Sequence, residues 1–251
     1  MKIFVPAGIG DGYGTNIDVE IFGMRFANER KVPAPKLIAW GEFSDKYRFQ
    51  YMIMEYINGK TLDEAEKYLS YNDKVTIGKK VREITDKLNA PCENFTSVDA
   101  IEHSKNDGEW AACGFPPSFL KERLEYLNTL KIENRDKVYC QCDFHAENVL
   151  VDKDLNVYLI DFADAMYVPK EYEKAYVASA LFCFEKPYMT GFFGDYKTEE
   201  IVELCMTYLP FHAWGHSTLA GNFKPVSEIT SFKVMREKLR ELIEKEKAAN
   251  N

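Results

Sequence analysis

The stretch Cys142-Asp143-Phe144-His145-Ala146-Glu147-Asn148, followed thirteen residues after Asn148 by Asp161 in Ile160-Asp161-Phe162, constrains this chain more than any other. Val149-Leu150-Val151 and Val157-Tyr158-Leu159-Ile160 are short runs of branched and aromatic residues, which suit a pleated, half-buried strand. The polar segment Asp152-Lys153-Asp154-Leu155-Asn156 between them has the composition of a turn, so the two runs predict a β-hairpin. A hairpin brings its ends together. Asn148 then stands where the first strand begins and Asp161 where the second ends, which sets an amide oxygen beside a carboxylate. One or two hard oxygen ligands of this kind, with phosphate oxygens completing the octahedron, are what Mg²⁺ takes when it arrives with a nucleotide. Asp143, five residues before Asn148, lies on the loop entering the same end. From there a carboxylate can accept a hydrogen bond from a substrate hydroxyl and aim its oxygen at the γ-phosphorus. A free carboxylate is a weak base, with a pKa of about 4. That suffices where the transition state is loose, because positioning and charge neutralisation then contribute more than basicity. Taken singly, acids flanking a hairpin are ordinary turn and cap residues. Three polar groups at these separations, in this order, are not.

The Asp-x4-Asn spacing, the following Asp-Phe and the separation between them resemble the catalytic loop and metal-binding strand of the protein-kinase-like superfamily. Within it, the chain is more similar to the aminoglycoside phosphotransferase and choline kinase branch than to protein kinases. His145 stands two residues after the acid, where small-molecule kinases often carry His and Ser/Thr kinases carry Lys. Behind Asp161 there is no Gly, no long activation segment and no Ala-Pro-Glu, and Phe162-Ala163-Asp164-Ala165 resembles the family's own continuation. The resemblance implies an α+β protein with a reduced, β-rich N-lobe over residues 1–57 and a larger, mainly helical C-lobe over 58–251. It implies ATP (or GTP) and Mg²⁺ as cofactors, with Asp143 orienting the nucleophile and Asn148 and Asp161 holding metal. Acceptor contacts are then expected from His145, Glu147, Asp164 and Glu173, the three acids suiting a cationic acceptor.

Phe49 to Ile57 reads as a buried strand ending at Asn58-Gly59, and by itself could be an ordinary core strand and turn. It resembles the last N-lobe strand and the hinge. The resemblance implies that the Glu55 carbonyl and the Ile57 N–H and carbonyl pair with the adenine edge, with Met54 guarding the pocket behind. Upstream, Thr15 and Asn16 offer caps for a helix from Ile17 to Glu29, ended by Lys31-Val32-Pro33-Ala34-Pro35 before a strand from Lys36 to Trp40. By resemblance, Glu20 falls where the partner of the phosphate-binding Lys belongs, although an acid in a first helical turn is also good dipole chemistry.

The chain departs from the family pattern ahead of that helix. About sixteen residues leave no room for the strand-loop-strand hairpin that covers phosphates. Met1 to Val5 can make one strand, and the glycine run over Pro6 to Gly14 reads as a link rather than a phosphate cradle. Lys2 is the one candidate for the phosphate-binding Lys, although the family's basic residue usually sits where this chain has Phe4. Gln141-Cys142 replaces the family's His-Gly, which leaves the loop's supporting hydrogen bonds without their usual side chain.

The remainder predicts helices over 61–70, 73–88, 118–130, 172–184 and 198–208, and a last helix from Ser227 onward. Residues 91–117 read as a long, turn-rich connection with an exposed tip at 102–108. His212 and His216, four apart around Trp214, fit a helical metal pair, an aromatic wall of the acceptor pocket, or plain packing. At 251 residues, 46% hydrophobic and 29% charged, the chain can fill one large domain or two lobes around a cleft. No apolar run is long enough for a membrane span and no secretory signal opens the chain, so a cytoplasmic protein is expected. Six cysteines without framework spacing suit reduced, buried thiols. A formal charge of −8 argues against a nucleic-acid partner and is compatible with a cationic acceptor. The expected function is ATP- and Mg²⁺-dependent phosphoryl transfer to a hydroxyl of a small molecule, aminoglycoside-like, amino alcohol or sugar. The rival is a catalytically silent kinase-like nucleotide-binding or regulatory protein, motivated by the missing phosphate hairpin.

Overall fold

The computed structural model describes residues 1–4, 17–92, 95 and 99–249. Strands β1 (Lys2–Phe4), β2 (Leu37–Ser44) and β3 (Arg48–Met54) form an antiparallel sheet in the order β1-β3-β2, with Met52 opposite both Lys2 and Trp40. Helix α1 (Ile17–Glu29) buries Ile17, Ile21, Met24 and Ala27, a stripe with helical spacing, and Glu20 is the one charged residue buried with them. β2 runs beyond the expected Trp40, whereas β3 stops at Met54 rather than Ile57. Past that point only the Glu55 N–H still pairs across the ladder, with the Lys36 carbonyl at 2.8 Å. Val5, the glycine run and the caps expected at Thr15 and Asn16 lie outside the described residues.

The hairpin forms as β6 (Val149–Val151) and β7 (Val157–Leu159), in register from Val149 opposite Leu159 to Val151 opposite Val157. Its turn is organised by Asp152, whose carboxylate accepts from the backbone N–H groups of Asp154 and Asn156 at 2.9 and 2.8 Å. Ile160 lies past the strand end, but its N–H donates to the Asn148 carbonyl at 3.0 Å and closes the hairpin where Asp161 follows. β4 (Lys60–Thr61) pairs with the other edge of β6.

Helices supply the rest. The helix expected over 61–70 is only α2 (Leu62–Glu66), because Ser70 starts a new one: it forms a capping box with Asp73 at the head of α3 (Tyr71–Leu88). α3 packs on α8 (Lys186–Phe193) with the backbones nearly touching at Gly78 and Gly191; a Cβ on Gly78 would lie 2.3 Å from the Tyr188 carbonyl oxygen. The expected tip at 102–108 is not a free loop. α4 (Ala100–Ser104) and α5 (Gly108–Ala112) flank it, and the fully buried Arg123 of α6 (Pro117–Thr129) donates to the Ser104 carbonyl, to the Pro210 carbonyl at 2.7 Å and to Asp107. A buried guanidinium left unpaired would cost several kcal/mol, so these acceptors fold around it.

β5 (Val138–Cys140) and β8 (Met166–Val168) pair beneath the loop that carries Asp143. The helix expected over 172–184 is α7 (Lys170–Tyr176) continued by one π-helical turn, Val177–Leu181. α9 (Thr198–Tyr208) has the expected bounds, and α10 (Gly215–Asn222) follows. The last helix, α11 (Phe232–Ala249), begins later than Ser227, after a 3₁₀ turn at Val226–Glu228. It buries Met235, Leu239 and Ile243 and remains helical to Ala249. All six cysteines are free, and no helix among the described residues is long and apolar enough to cross a membrane.

Candidate active site

β5 leads into Gln141 and Cys142, both fully buried, and then into Asp143, half-buried at the rim of a cleft. Asn148, at the start of β6, meets it: the Asn148 Nδ2 donates to the Asp143 Oδ2 at 2.7 Å and to its carbonyl at 3.0 Å. His145 Nε2 lies 3.3 Å from the same Oδ2, while its Nδ1 accepts the Glu147 N–H at 3.3 Å. The second contact fixes the tautomer, so Nε2–H is the donor toward Asp143. The Asp143 carboxylate in turn holds the imidazole above its usual pKa. With its nitrogen committed, Asn148 keeps Oδ1 without a donor among the described residues, and this hard oxygen shares the hairpin end with Asp161.

Two non-glycine residues of the site sit in the left-handed backbone region: Cys142, φ 65°, directly before Asp143, and Asp161, φ 58°. Such residues cost on the order of 1–3 kcal/mol each and persist where their surroundings over-determine them. Gln141 and Glu173 are those surroundings. The Gln141 Oε1 accepts the Asp143 N–H at 2.8 Å and its Nε2 donates to the Asp161 carbonyl, so one side chain ties the two loops together. The bridge that the sequence had left without its usual side chain is supplied by the glutamine.

Glu173 corrects an expectation. It is fully buried on α7, not at an acceptor surface, and accepts the Gln141 and Cys142 N–H groups at 2.6 and 3.0 Å and the Asn89 Nδ2 at 2.7 Å. Burial pushes its carboxyl up to about 7, and the three donors limit that rise.

Lys2 lies nearly 160 residues away in sequence, yet its Nζ is 2.9 Å from both carboxylate oxygens of Asp161 and 3.2 Å from the Glu20 Oε2. Glu20 also accepts the Phe162 N–H at 3.0 Å. Burial, then the charge of Asp161, push its carboxyl up to about 7 against the pull of Lys2. α1 reaches this close because of Gly23: a Cβ there would fall 2.2 Å from the Tyr139 hydroxyl and 2.5 Å from the Phe162 Cβ. A mid-helix glycine that costs about 1 kcal/mol of helix stability is the local trace of that approach.

Lys2, Glu20 and Asp161 line one end of a cavity of about 340 Å³, whose remaining walls include Met54, Glu55, Ile57, Leu150 and Ile160. Of the three hinge groups expected to meet a base, the Glu55 carbonyl and the Ile57 N–H have no partner among the described residues. The Ile57 carbonyl already accepts the Gly59 N–H at 3.0 Å.

On the other side of Asp143 lies a second cavity, of about 460 Å³, walled by Asp63, His145, Glu147, Tyr176 and Trp214. Asp63 and Tyr176 carried no sequence signal; one belongs to a short exposed helix and the other to an apparently ordinary helical stripe. Burial and then the charge of Asp143 push the Tyr176 hydroxyl well above its usual pKa. Asp164 is exposed nearby, where partial desolvation and then the charges of Asp143 and Asp161 push its carboxyl up. His212 is a packing residue. Its ring is sandwiched between Tyr172 and Tyr176, with centroids 4.1 and 4.3 Å away, and its Nδ1 accepts the Trp214 N–H at 3.1 Å, which holds Trp214 at the cavity wall. Burial keeps it neutral. Among the described residues no three His, Cys, Asp or Glu side chains converge on a metal position, so the His212–His216 pair lacks a third ligand. Asp161 with Asn148 Oδ1 fits a different ion, one that takes one or two protein oxygens and completes its shell with phosphate and water.

No curated protein matches the chain in sequence. The structure resembles aminoglycoside phosphotransferase APH(4)-Ia with a TM-score of 0.54 at 17% identity, covering 90% of this chain and 83% of that one. It resembles APH(2")-IIia, solved in complex with GDP and kanamycin, with a TM-score of 0.53 at 15% identity, covering 94% and 82%. An aminoglycoside phosphotransferase from Alicyclobacillus acidocaldarius gives 0.53 at 10% identity, over 92% and 82%. These likenesses establish a kinase-like α+β fold. The model of the phosphotransferase enzyme family, APH, matches residues 22–202, from within α1 through the hinge, the Asp143 loop and Asp161 into α9. With that match spanning well over half of its length, the chain belongs to the phosphotransferase enzyme family.

Proposed function

We propose that this phosphotransferase moves the γ-phosphate of ATP, taken as its Mg²⁺ complex, to a hydroxyl of a small cationic molecule such as an aminoglycoside, an amino alcohol or an amino sugar. The observation that carries this reading is the position of Asp143, Asn148 and Asp161 between two cavities. Asp161 faces the cavity at the hinge, and Asp143 faces the cavity walled by acids and aromatic rings. The base would lie between Leu150 and Ile160 and the hinge backbone, with the free Glu55 carbonyl and Ile57 N–H matching the donor and acceptor of an adenine edge. Lys2, steadied by Glu20, would reach the phosphates. Asp161 and Asn148 Oδ1 would hold Mg²⁺, which when bound neutralises phosphate charge. Asp143, with Oδ2 committed to Asn148 and His145, offers Oδ1 to the acceptor hydroxyl and points its oxygen at the phosphorus. Asp63 and Glu147 supply negative charge, and Trp214 and Tyr176 supply ring faces, for an ammonium group of the acceptor. The same reading divides the chain at Ile57, residues 1–57 covering the nucleotide and 58–251 carrying the chemistry.

The first test is thermal. Saturating Mg-ATP or Mg-ADP should raise Tm by about 5–10 °C, the scale of roughly 3 kcal/mol of linked binding in a chain of this size. Asp161→Ala should remove that rise. A melting curve unmoved by millimolar Mg-nucleotide would count against the whole assignment. Transfer of labelled γ-phosphate to pooled aminoglycosides, amino alcohols and sugars then separates enzyme from binder: nucleotide binding without transfer to any acceptor or to water would support the catalytically silent alternative.

A further inference from the structure

The two oxygens of Asp161 are both engaged by one ammonium. Lys2 Nζ lies 2.9 Å from each of them and 3.2 Å from Glu20. The partners differ in freedom. Glu20 is fixed by burial on α1 and by its second hydrogen bond, to the Phe162 N–H. Asp161 is fixed by its strained backbone and by the Gln141 amide. Lys2 is carried on a three-residue strand by a flexible four-carbon stem, and its side chain is 31% exposed, so it is the member that can move. Asn148 is held as well, its nitrogen on Asp143.

A divalent ion approaching Asp161 alone must push an ammonium off both oxygens, leaving that ammonium with Glu20 only. An ion that arrives with a polyphosphate brings the oxyanion to which the ammonium can transfer. Resting on the nucleotide site proposed above, we propose that Lys2 makes the Asp161 seat selective for a metal–polyphosphate complex over the bare divalent ion. The lysine exchanges carboxylate for phosphate as the complex enters, so neither Asp161 nor Lys2 is left without a counter-charge. A single substitution therefore acts with opposite sign on two ligands: removing the ammonium frees the seat for a bare ion and deprives the complex of a phosphate contact. A residue with a merely structural role would weaken both.

The experiment is a Mn²⁺ titration of the full chain, with free ion read by electron paramagnetic resonance, without nucleotide and with ADP. Lys2→Met should tighten bare Mn²⁺ about tenfold and weaken Mn-ADP about tenfold, the scale expected for a half-exposed charge contact. Lys2→Arg should leave bare Mn²⁺ as weak as in the wild type. Adding Asp161→Asn to Lys2→Met should abolish the gain, which separates this seat from the other carboxylates of an acidic chain. Lys2→Gln takes the place of Lys2→Met should the latter not fold. Bare-ion affinity unchanged or lowered by loss of the ammonium, with wild-type Mn-ADP binding intact, overturns the inference alone. Failure of the wild type to bind Mn-ADP overturns the nucleotide site itself.

Discussion

Asp143→Asn lowers phosphoryl transfer by about 10³-fold on the proposed mechanism while leaving the affinity for Mg-nucleotide within about threefold. The reasons are geometric. Asp143 faces the acceptor cavity and not the hinge cavity, so the nucleotide contacts survive its loss. An amide at this position turns an N–H₂ toward either the acceptor hydroxyl or the donors that hold Oδ2, Asn148 at 2.7 Å and His145 at 3.3 Å. Either the nucleophile loses its acceptor or the loop loses an anchor. Steady-state kinetics with the acceptor found in the transfer screen, together with calorimetric titration of Mg-ADP, measure the two effects separately. A variant that keeps more than about a tenth of wild-type turnover would exclude Asp143 as the orienting group.

Glu173→Ala should have the largest effect on stability, a fall in Tm of about 10 °C. Three N–H donors, on Gln141, Cys142 and Asn89, lose their acceptor in a fully buried place. At about 1 kcal/mol or more for each orphaned donor, the loss is on the order of 3 kcal/mol, and a chain of this length shifts about 2–4 °C per kcal/mol. Nucleotide-dependent turnover should fall with it, because the same bonds hold Cys142 in its strained conformation directly before Asp143.

Glu173 also sets a pH dependence. Its carboxyl is raised from an ordinary 4.5 to about 7 in the folded chain. Between those values the folded state holds a proton that the unfolded state has released, so stability falls as pH rises. The contribution is present in full below about pH 4.5 and lost above about pH 7, on the order of 3 kcal/mol. Glu20 acts with the same sign. Carboxylates held below their usual range, such as Asp161 and Asp152, lose their contribution only below about pH 4, outside this window. His212 and His216, whose pKa values burial lowers, act with the opposite sign below about pH 6.5, so the test is a difference: from pH 5 to pH 8 the Tm of Glu173→Gln, which cannot titrate, should fall less, or rise more, than that of the wild type. Parallel Tm profiles for the wild type and Glu173→Gln from pH 5 to 8 would contradict the burial argument.

Elements whose pattern is local were legible in the sequence. The β6–β7 hairpin follows from branched residues around an Asx turn, and α1 and α9 have the expected bounds because their apolar stripes are continuous. The misplaced boundaries have a common cause. Ser70 as a cap, the 3₁₀ turn before Phe232 and the folding of 102–108 onto Arg123 depend on partners elsewhere in the chain or on a choice between adjacent capping sites. Glu173 was misassigned for a related reason: sequence shows an acid on a helix after the metal strand, and only packing decides which face it occupies. Glu20 could have been weighted more heavily, since it is the single acid within the apolar stripe of α1.

By itself, the sequence from Asp143 to Asp161 determined the fold family and the pairing of an amide with two acids at one hairpin end, because those groups lie within nineteen residues and a two-strand ladder fixes their relation. Tertiary structure alone decided what surrounds them. It brought Lys2 onto Asp161 across 159 positions, set Glu173 and Gln141 beneath the loop, and walled the second cavity with Asp63, Tyr176 and Trp214. No periodicity or spacing encodes such contacts, since each depends on how separate helices and strands close-pack around the hairpin, and a single glycine at position 23 sets how near α1 comes to it.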